Sequence, residues 1–473
     1  MPVSRLYRPE TLHGSLGESF FDEVEPAAFP RHVLRFRDQR WAQRIGLETL
    51  DDEEWIAHFG KFEPLPDSFA RPLALRYHGH QFRTYNPDLG DGRGFLFAQV
   101  RDHEDGRLLD LGTKGSGQTP WSRRGDGRLT LKGGVREILA TQMLEAMGVD
   151  TSKSLSLIET GEQLIRGDEP SPTRSSVLVR LSHSHIRIGT FQRLAYLEDK
   201  AAIERLLDHS IAHYFPEIAG ETPGRRAASF LEKVTERVAR LAASYMAAGF
   251  VHGVLNSDNI NITGESFDYG PWRFAPTWDT RFTAAYFDES GLYAFGRQAG
   301  AIGWNLARLA ECLLPMTGLA AAQSAIDAYP DLSRRAFHEM LLRRLGLVSQ
   351  GPDRDANLAS AFVKFLIASQ APLEQAVFDW RGGLASSSRA RRSPAAPHYE
   401  TTDFQPVREA LDGFEPCATA RLDHPYFSRE RPCSMLIDEV ETIWTAISER
   451  DDWGLFYSKL GQISEMRAAC KAE

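Results

Sequence analysis

The chain has 473 residues, of which 42% are hydrophobic and 25% are charged, proportions typical of folded soluble proteins rather than disordered ones. Its formal net charge of −9 gives no general attraction to nucleic acid or anionic membranes, so neither is expected as a partner. Four scattered cysteines, no signal peptide and no apolar run of membrane-spanning length predict a cytoplasmic protein.

The first predicted elements form a strand-rich half. Two apolar runs, FLFAQV and RLLDLGT, flank the turn RDHEDG and predict an antiparallel hairpin behind the glycine-rich segment NPDLGDGRG. The next segment, GGVREILATQMLEAMGV, has apolar residues at helical spacing and predicts a helix that stops at Gly148. The run SSVLVRLS, from Ser175 to Ser182, predicts a further strand.

The second half of the chain is predicted to be helical. Apolar residues from Phe230 to Met246 recur at three- and four-residue steps and indicate a long buried helix that ends near Gly249. Helical patterns also occupy AIGWNLARLAECLLPM, LSRRAFHEMLLRRLGL and LIDEVETIWTAI. The composition of GGLASSSRARRSPAAP, residues 382–397, predicts an exposed loop or linker. The whole order predicts an α+β protein.

The segment VHGVLNSDNINITGESFDYG, residues 251–270, carries the strongest chemical signal. Protein kinases have a catalytic loop H-R-D-x-x-x-x-N followed by D-F-G, in which the asparagine and the second aspartate bind metal. Asn259 and Asp268 fall at those positions and are candidate magnesium ligands. Val254, however, stands where kinases have the aspartate that accepts the substrate proton. The protein is therefore either an inactive nucleotide binder, or Asp258 has become the base.

Several residues upstream are candidates for holding a nucleotide. Lys114 ends a predicted strand and Glu137 lies on the following helix, so an ion pair of the kind that positions phosphates in kinases is expected. Glycines in LGDGRG allow backbone amides to approach a phosphate. Arginine side chains suit phosphate oxygens. Further candidates are Arg180, Arg187 and the Asp126-Gly127 pair in SRRGDGR.

Taken together, LGDGRG, LGTKGSGQTPWSRRGDGR, VREILATQML, HSHIRIGTF, HGVLNSDN and DYGP closely resemble the selenoprotein O (YdiU) family of protein adenylyltransferases. The resemblance covers about Tyr77 to Arg297. It implies a protein-kinase-like, two-lobed fold that binds ATP in a reversed orientation. The implied activity is transfer of AMP, with release of pyrophosphate, to Ser, Thr or Tyr hydroxyls of proteins.

The resemblance also implies a role for each matching residue. Asp258 would be the base, Asn259 and Asp268 would hold Mg²⁺ or Mn²⁺, and Glu137 would orient Lys114. The residues implied to bind the nucleotide are Gly90, Gly92, Arg93, Lys114, Asp126, Gly127, Arg180 and Arg187. The expected organisation is an N-terminal extension over 1–75, a strand-rich N-lobe with the nucleotide-binding loops over 76–195, and a helical C-lobe over 196–473.

Two other functions remain as alternatives. An ordinary protein kinase-type phosphotransferase would share the metal and lysine positions, but Val254 argues against it because the usual base is missing. A noncatalytic nucleotide-binding scaffold would explain that valine. It would not, however, need Asp258, Asn259 and Asp268 together beside a phosphate-binding loop.

Overall fold

The computed structural model describes residues 3–218, 220 and 222–470. It confirms an α+β protein, built on one large antiparallel sheet with many helices around it. Within these ranges, no helix combines the length and the hydropathy that crossing a bilayer would require.

The strands lie mostly in the first 182 residues. They are β1 Pro9–Glu10, β2 Phe21–Glu23, β3 Val33–Arg37, β4 Leu73–Leu75, β5 Gly79–Gln81, β6 Thr84–Asn86, β7 Leu96–Arg101, β8 Leu108–Lys114, β9 Leu129–Thr130, β10 Lys153–Leu164, β11 Thr173–Ser182, β12 Phe250–Val251 and β13 Arg273–Phe274. The main sheet runs in the order β2-β4-β7-β8-β11-β10-β3, with β1 paired to β7 and β9 to β11. Residues of the expected N-terminal extension thus belong to the same sheet as the later strands, and the boundary at residue 76 stays a prediction.

The helices follow a similar order along the chain. They are α1 Gln39–Arg44, α2 Asp52–Phe59, α3 Leu131–Ala146, α4 Ile188–Tyr196, α5 Lys200–Tyr214, α6 Pro223–Ala247, α7 Gln298–Thr317, α8 Leu319–Leu345, α9 Pro352–Ser369, α10 Leu373–Asp379, α11 Ser387–Arg392, α12 Ala396–Tyr399, α13 Gln405–Leu411, α14 Ile437–Arg450 and α15 Gly454–Cys470. The long buried helix predicted from the apolar repeat is α6, and Gly249 follows it with a φ of 64°.

The predicted hairpin is β7 paired antiparallel with β8. Every residue of β8 is buried because both faces of the sheet are covered. Leu108 packs with the apolar side of α3, whereas Leu109 packs on the opposite face with Trp41 of α1 and Trp55 of α2. This double cover explains the nearly continuous apolar run in the sequence and holds Lys114 at a rigid strand end.

Helix α3 connects the sheet to the C-terminal part of the chain. The hydroxyl of Thr130 accepts a hydrogen bond from the Gly133 amide and caps its first turn. On its outer side, Lys132 pairs with Glu441 of α14 at 2.7 Å, and Arg467 of α15 donates to the side-chain oxygen of Gln142 at 2.6 Å. Helix α3 is therefore braced by the last two helices.

The prediction of an exposed loop or linker at residues 382–397 is wrong. The segment contains α11 and the first half of α12, and its residues Ala390 and Ala395 are buried. The guanidinium of Arg389 lies 5.3 Å from the ring centre of Phe378 and 4.9 Å from that of Phe427. Small and basic residues are used here to pack against aromatic rings, which composition alone does not distinguish from an exposed linker.

A pair of buried histidines predicts how stability depends on pH. The rings of His13 and His209 lie 6.2 Å apart, and burial lowers the pKa of His13 to about 4 and that of His209 to about 3. Both rings stay neutral in the folded state at mildly acidic pH. The unfolded chain takes up protons on these histidines as the pH drops below 6.5, so the free energy of unfolding should decrease as the pH decreases. We expect a loss of about 1 kcal/mol per histidine between pH 6.5 and 5.5.

Urea unfolding at pH 7.5, 6.5 and 5.5 measures this loss. The variant His209→Gln should show a shallower pH dependence than the original protein, whereas His398→Gln, which changes a half-buried histidine, should not. If the free energy of unfolding depended on pH equally in both variants, the lowered pKa assigned to His209 would be wrong.

Candidate active site

A cleft of about 740 Å³ brings the predicted site residues together. It lies between the glycine-rich segment at 89–94, the loop at 121–128, the end of β8 and the segment around residues 254–268. Every residue predicted for the base, the nucleotide or the metal lines it, namely Gly90, Gly92, Arg93, Lys114, Asp126, Gly127, Arg180, Arg187, Asp258, Asn259 and Asp268. Glu137 lies directly behind Lys114.

A buried charge cluster forms the floor of the cleft. Lys114 Nζ lies 2.6 Å from Glu137 Oε2 and 2.8 Å from Asp268 Oδ1, so the expected strand-to-helix ion pair is present. Arg180 Nη1 lies 3.3 Å from an oxygen of each of these carboxylates. Only 1% of the Glu137 side chain is exposed, so its charge depends on these two cations.

Asp268 is held ionised at this cluster. Burial acts to raise its pKa, but the nearby cations, with Lys114 and Arg180 foremost, hold that pKa well below the usual value. The residue has a φ of 64°, a left-handed conformation that costs a non-glycine residue free energy and is typical of functional positions. The carboxylate is thus fixed in its charged form at the cleft wall.

Asp258 occupies a different electrostatic environment. Its Oδ1 is buried without a hydrogen-bond partner in the described ranges, and burial raises the pKa of this carboxyl to about 6. The chain packs tightly around it, because a Cβ on Gly79 would lie 3.0 Å from that same oxygen. Val254 lines the cleft nearby but carries no ionisable group. Asp258 is therefore an under-solvated carboxylate facing the cleft.

Asn259 presents an amide oxygen beside this carboxylate. Its Nδ2 donates to the Val254 carbonyl at 3.0 Å, which orients the side chain and leaves its Oδ1 as the atom that could bind a cation. His252 Nε2 lies 3.0 Å from the Phe267 carbonyl and ties this loop to the segment just before Asp268. Asn259 and Asp268 therefore lie on two segments that are held together.

The side-chain oxygens of Asn259 and Asp268 supply only part of the ligands that a hard divalent cation requires. The described part of the chain contains no group of three or more His, Cys, Asp or Glu side chains arranged around a metal position. Magnesium is usually held by one or two carboxylates together with substrate phosphates and water. The donor set therefore fits a cation that arrives with a phosphate ligand.

Arg187 connects two walls of the cleft. Its guanidinium donates to the Asp258 carbonyl at 3.1 Å and contacts Asp91 at 3.2 Å, and it lies 4.1 Å from the ring centre of Tyr77. These contacts fix the glycine-rich segment relative to the loop of Asp258. Arg187 consequently positions the cleft as well as contributing charge.

The glycines of the cleft are explained by close packing. A Cβ on Gly90 would lie 2.4 Å from the ring of Trp121, and one on Gly92 would lie 2.8 Å from the Trp121 carbonyl. Asp126 is engaged by Arg166, whose two terminal nitrogens contact it at 2.8 and 3.0 Å. Gly127 has a φ of 70°, which a side chain would strain. The two glycine-containing loops thus pack on each other across Trp121.

The sequence reasoning missed two arginines, Arg123 and Arg124. Both line the cleft, and both have left-handed backbone conformations with φ values of 48° and 70°. Neither they nor Arg93 form an ion pair with a carboxylate in the described ranges, unlike the other cations of the cleft. The signal was present, since two adjacent arginines precede the Gly-Asp-Gly turn in SRRGDGR.

Comparison with known proteins identifies one protein family along nearly the whole chain. The family described as protein adenylyltransferase SelO matches residues 5–464. A protein nucleotidyltransferase YdiU of Synechocystis sp. is 45% identical over 457 residues, covering 93% of this chain and 94% of the relative. One from Trichodesmium erythraeum is 43% identical over 463 residues, covering 95% and 96% respectively.

Proposed function

Because the chain belongs to the family of protein adenylyltransferase SelO, and so is a protein nucleotidyltransferase that uses ATP, we propose that its cleft transfers AMP to a Ser, Thr or Tyr hydroxyl of a protein. The acceptor oxygen forms a bond to the α-phosphorus as the bond from that phosphorus to the bridging oxygen breaks. The hydroxyl proton passes to Asp258, and the bonding electrons leave with pyrophosphate.

The assignment of the base rests on one observation. Asp258 is a buried carboxylate that lines the cleft and has one unpartnered oxygen, and its raised pKa of about 6 makes it a better proton acceptor than an ordinary aspartate. In contrast, the low pKa of Asp268 makes that carboxylate a poor base but a good cation ligand. The two aspartates are therefore separated into different roles by their surroundings.

The cations of the cleft suit a triphosphate in the reversed orientation. Such an orientation brings the α-phosphorus to Asp258 and buries the γ-phosphate. We assign Arg93, Arg123 and Arg124 to the phosphates because they line the cleft without a carboxylate partner in the described ranges. Lys114, Arg180 and Arg187 would add charge from the floor and walls, as positioned electrostatic groups do in other phosphoryl transfer sites.

Asn259 and Asp268 are the residues that would hold Mg²⁺ or Mn²⁺. A divalent cation would supply charge neutralisation to the α- and β-phosphates during transfer. The protein's own part is to hold these oxygen donors on the two segments joined through His252 and to keep Asp268 ionised.

The net charge and the cysteines support a proposal for the partners and the compartment of the reaction. The acceptors are proteins, and the net charge of −9 gives no general attraction to nucleic acid. All four cysteines are free thiols, which is typical of proteins in a reducing compartment. We therefore place the reaction in the cytoplasm.

Transfer of isotopic label tests the proposed reaction. The protein is incubated with Mg²⁺ or Mn²⁺, dephosphorylated casein and ATP labelled at either the α- or the γ-phosphate. We expect α label on protein and γ label in pyrophosphate. Transfer of γ label without α label would indicate a kinase, and transfer of neither label under both metals would favour a noncatalytic scaffold.

A further inference from the structure

Three large aromatic side chains are exposed on two segments that hydrogen-bond to Asn256 of the cleft lining. We call Phe82, Tyr286 and Phe287 the aromatic rim; their exposed fractions are 38%, 83% and 46%. The ring centres of Phe82 and Phe287 lie 6.0 Å apart, and those of Tyr286 and Phe287 lie 5.2 Å apart. The rim is thus a continuous apolar surface made by two distant parts of the chain.

The rim stands on a hydrogen-bonded support. Asp288 follows Phe287 directly, is buried, and accepts hydrogen bonds from the Leu292 and Tyr293 amides, both at 2.8 Å. Phe82 lies in the turn of the β5–β6 hairpin, where Arg83 shares its left-handed conformation. The backbone segments that carry the rim are therefore fixed by hydrogen bonds on one side and by a tight turn on the other.

The rim is joined to the catalytic residues through Asn256. The Phe82 amide donates to Asn256 Oδ1 at 3.1 Å, and the Tyr293 hydroxyl donates to the same oxygen at 2.6 Å. Asn256 lines the cleft two residues before Asp258. An acceptor whose hydroxyl reaches Asp258 has its neighbouring residues within reach of the rim.

We propose that the aromatic rim docks an apolar side chain of the acceptor protein, close in sequence to the hydroxyl that receives AMP. This inference rests on the proposed function, because it takes the cleft to be the place of transfer. The acceptor is the occupant that fits, because the segments that carry the rim hydrogen-bond to Asn256, two residues before the proposed base Asp258. Exposed aromatic anchors of this kind dominate the binding energy of many protein interfaces.

The rim predicts which acceptors are preferred. A polar or charged residue at the docked position would leave the rings hydrated, whereas Phe or Leu would bury apolar surface against them. We therefore expect the enzyme to select for an apolar neighbour of the modified hydroxyl. Selection by this surface should appear in the KM for the acceptor and leave the KM for ATP unchanged.

Synthetic peptides with a single serine test the proposal. One series carries Phe at each position from three before to three after the serine, and a matched peptide carries Ala instead. With the original protein, at least one Phe peptide should have a KM about tenfold lower than the Ala peptide. The double variant Tyr286→Ala/Phe287→Ala should reduce that ratio to about one, whereas Leu319→Ala, which truncates an exposed leucine outside the rim, should preserve it.

The outcomes separate the two proposals. If the original protein transfers α label equally well to all Phe and Ala peptides, the docking proposal is overturned while the transfer reaction stands. If the rim variant instead raises the KM for ATP, the rim binds nucleotide and the proposal is again wrong. If the original protein transfers α label to no peptide and to no casein, the proposed function fails, and the docking proposal fails with it.

Discussion

Replacing Asp258 with asparagine should lower the rate constant of AMP transfer by about 10²- to 10⁴-fold, the usual contribution of a general base. Asparagine has nearly the same shape and can keep the packing against Gly79, but its amide cannot take the proton of the acceptor hydroxyl. Since the proposed contacts to the nucleotide are the cations of the cleft, the dissociation constant for ATP should change little.

Two measurements on purified protein check this result. Single-turnover transfer of α-labelled AMP gives the rate constant, and calorimetry gives ATP affinity. Asp88→Asn is the control, because Asp88 is an exposed carboxylate next to the glycine-rich segment and outside the cleft lining. An Asp258→Asn protein that retained full transfer would show that another group is the base.

Replacing Lys114 with methionine should reduce kcat/KM by about 10²-fold or more and also lower stability. The substitution leaves Glu137 and Asp268 with Arg180 as their remaining close cation, so a buried carboxylate and a partly exposed one lose much of their compensation. Removing one partner of a buried pair commonly costs about 3–5 kcal/mol of stability.

A double variant separates the loss of stability from the loss of catalysis. Lys114→Met/Glu137→Gln removes both charges of the pair, so it should unfold at a higher urea concentration than Lys114→Met alone while remaining as poor a catalyst. Lys132→Met is the matched control, because Lys132 forms a partly exposed ion pair with Glu441 on the outside of α3. If the double variant regained transfer, Lys114 would be structural only.

Local patterns predicted the elements that depend on neighbouring residues. The β7–β8 hairpin, α3 and α6 follow from runs of apolar residues at periods that each element imposes on its own sequence. The segment at residues 251–270 can be recognised from the sequence because its candidate chemical groups lie close together along the chain. The Lys114–Glu137 pair could be expected because one residue ends a strand and the other lies on the next helix.

Features that depend on distant parts of the chain could not be predicted in this way. The 12-residue strand β10 pairs with β3 from the first 40 residues, and nothing local marks that partner. The sequence gives no sign that Trp121 packs against Gly90, which is the structural reason for that glycine. Likewise, Phe82 and Phe287 meet only because the hairpin folds over the loop of Asn256.

The brace on α3 sets an order of events during synthesis. Arg467 is made 325 residues after the Gln142 that it contacts, so every residue of the cleft has emerged from the ribosome before the brace exists. A nascent chain, or one trimmed by a protease ahead of α14, holds all the chemical groups of the site without the contacts of α14 and α15 on the helix that carries Glu137. The brace therefore links the position of α3 to the synthesis of α14 and α15.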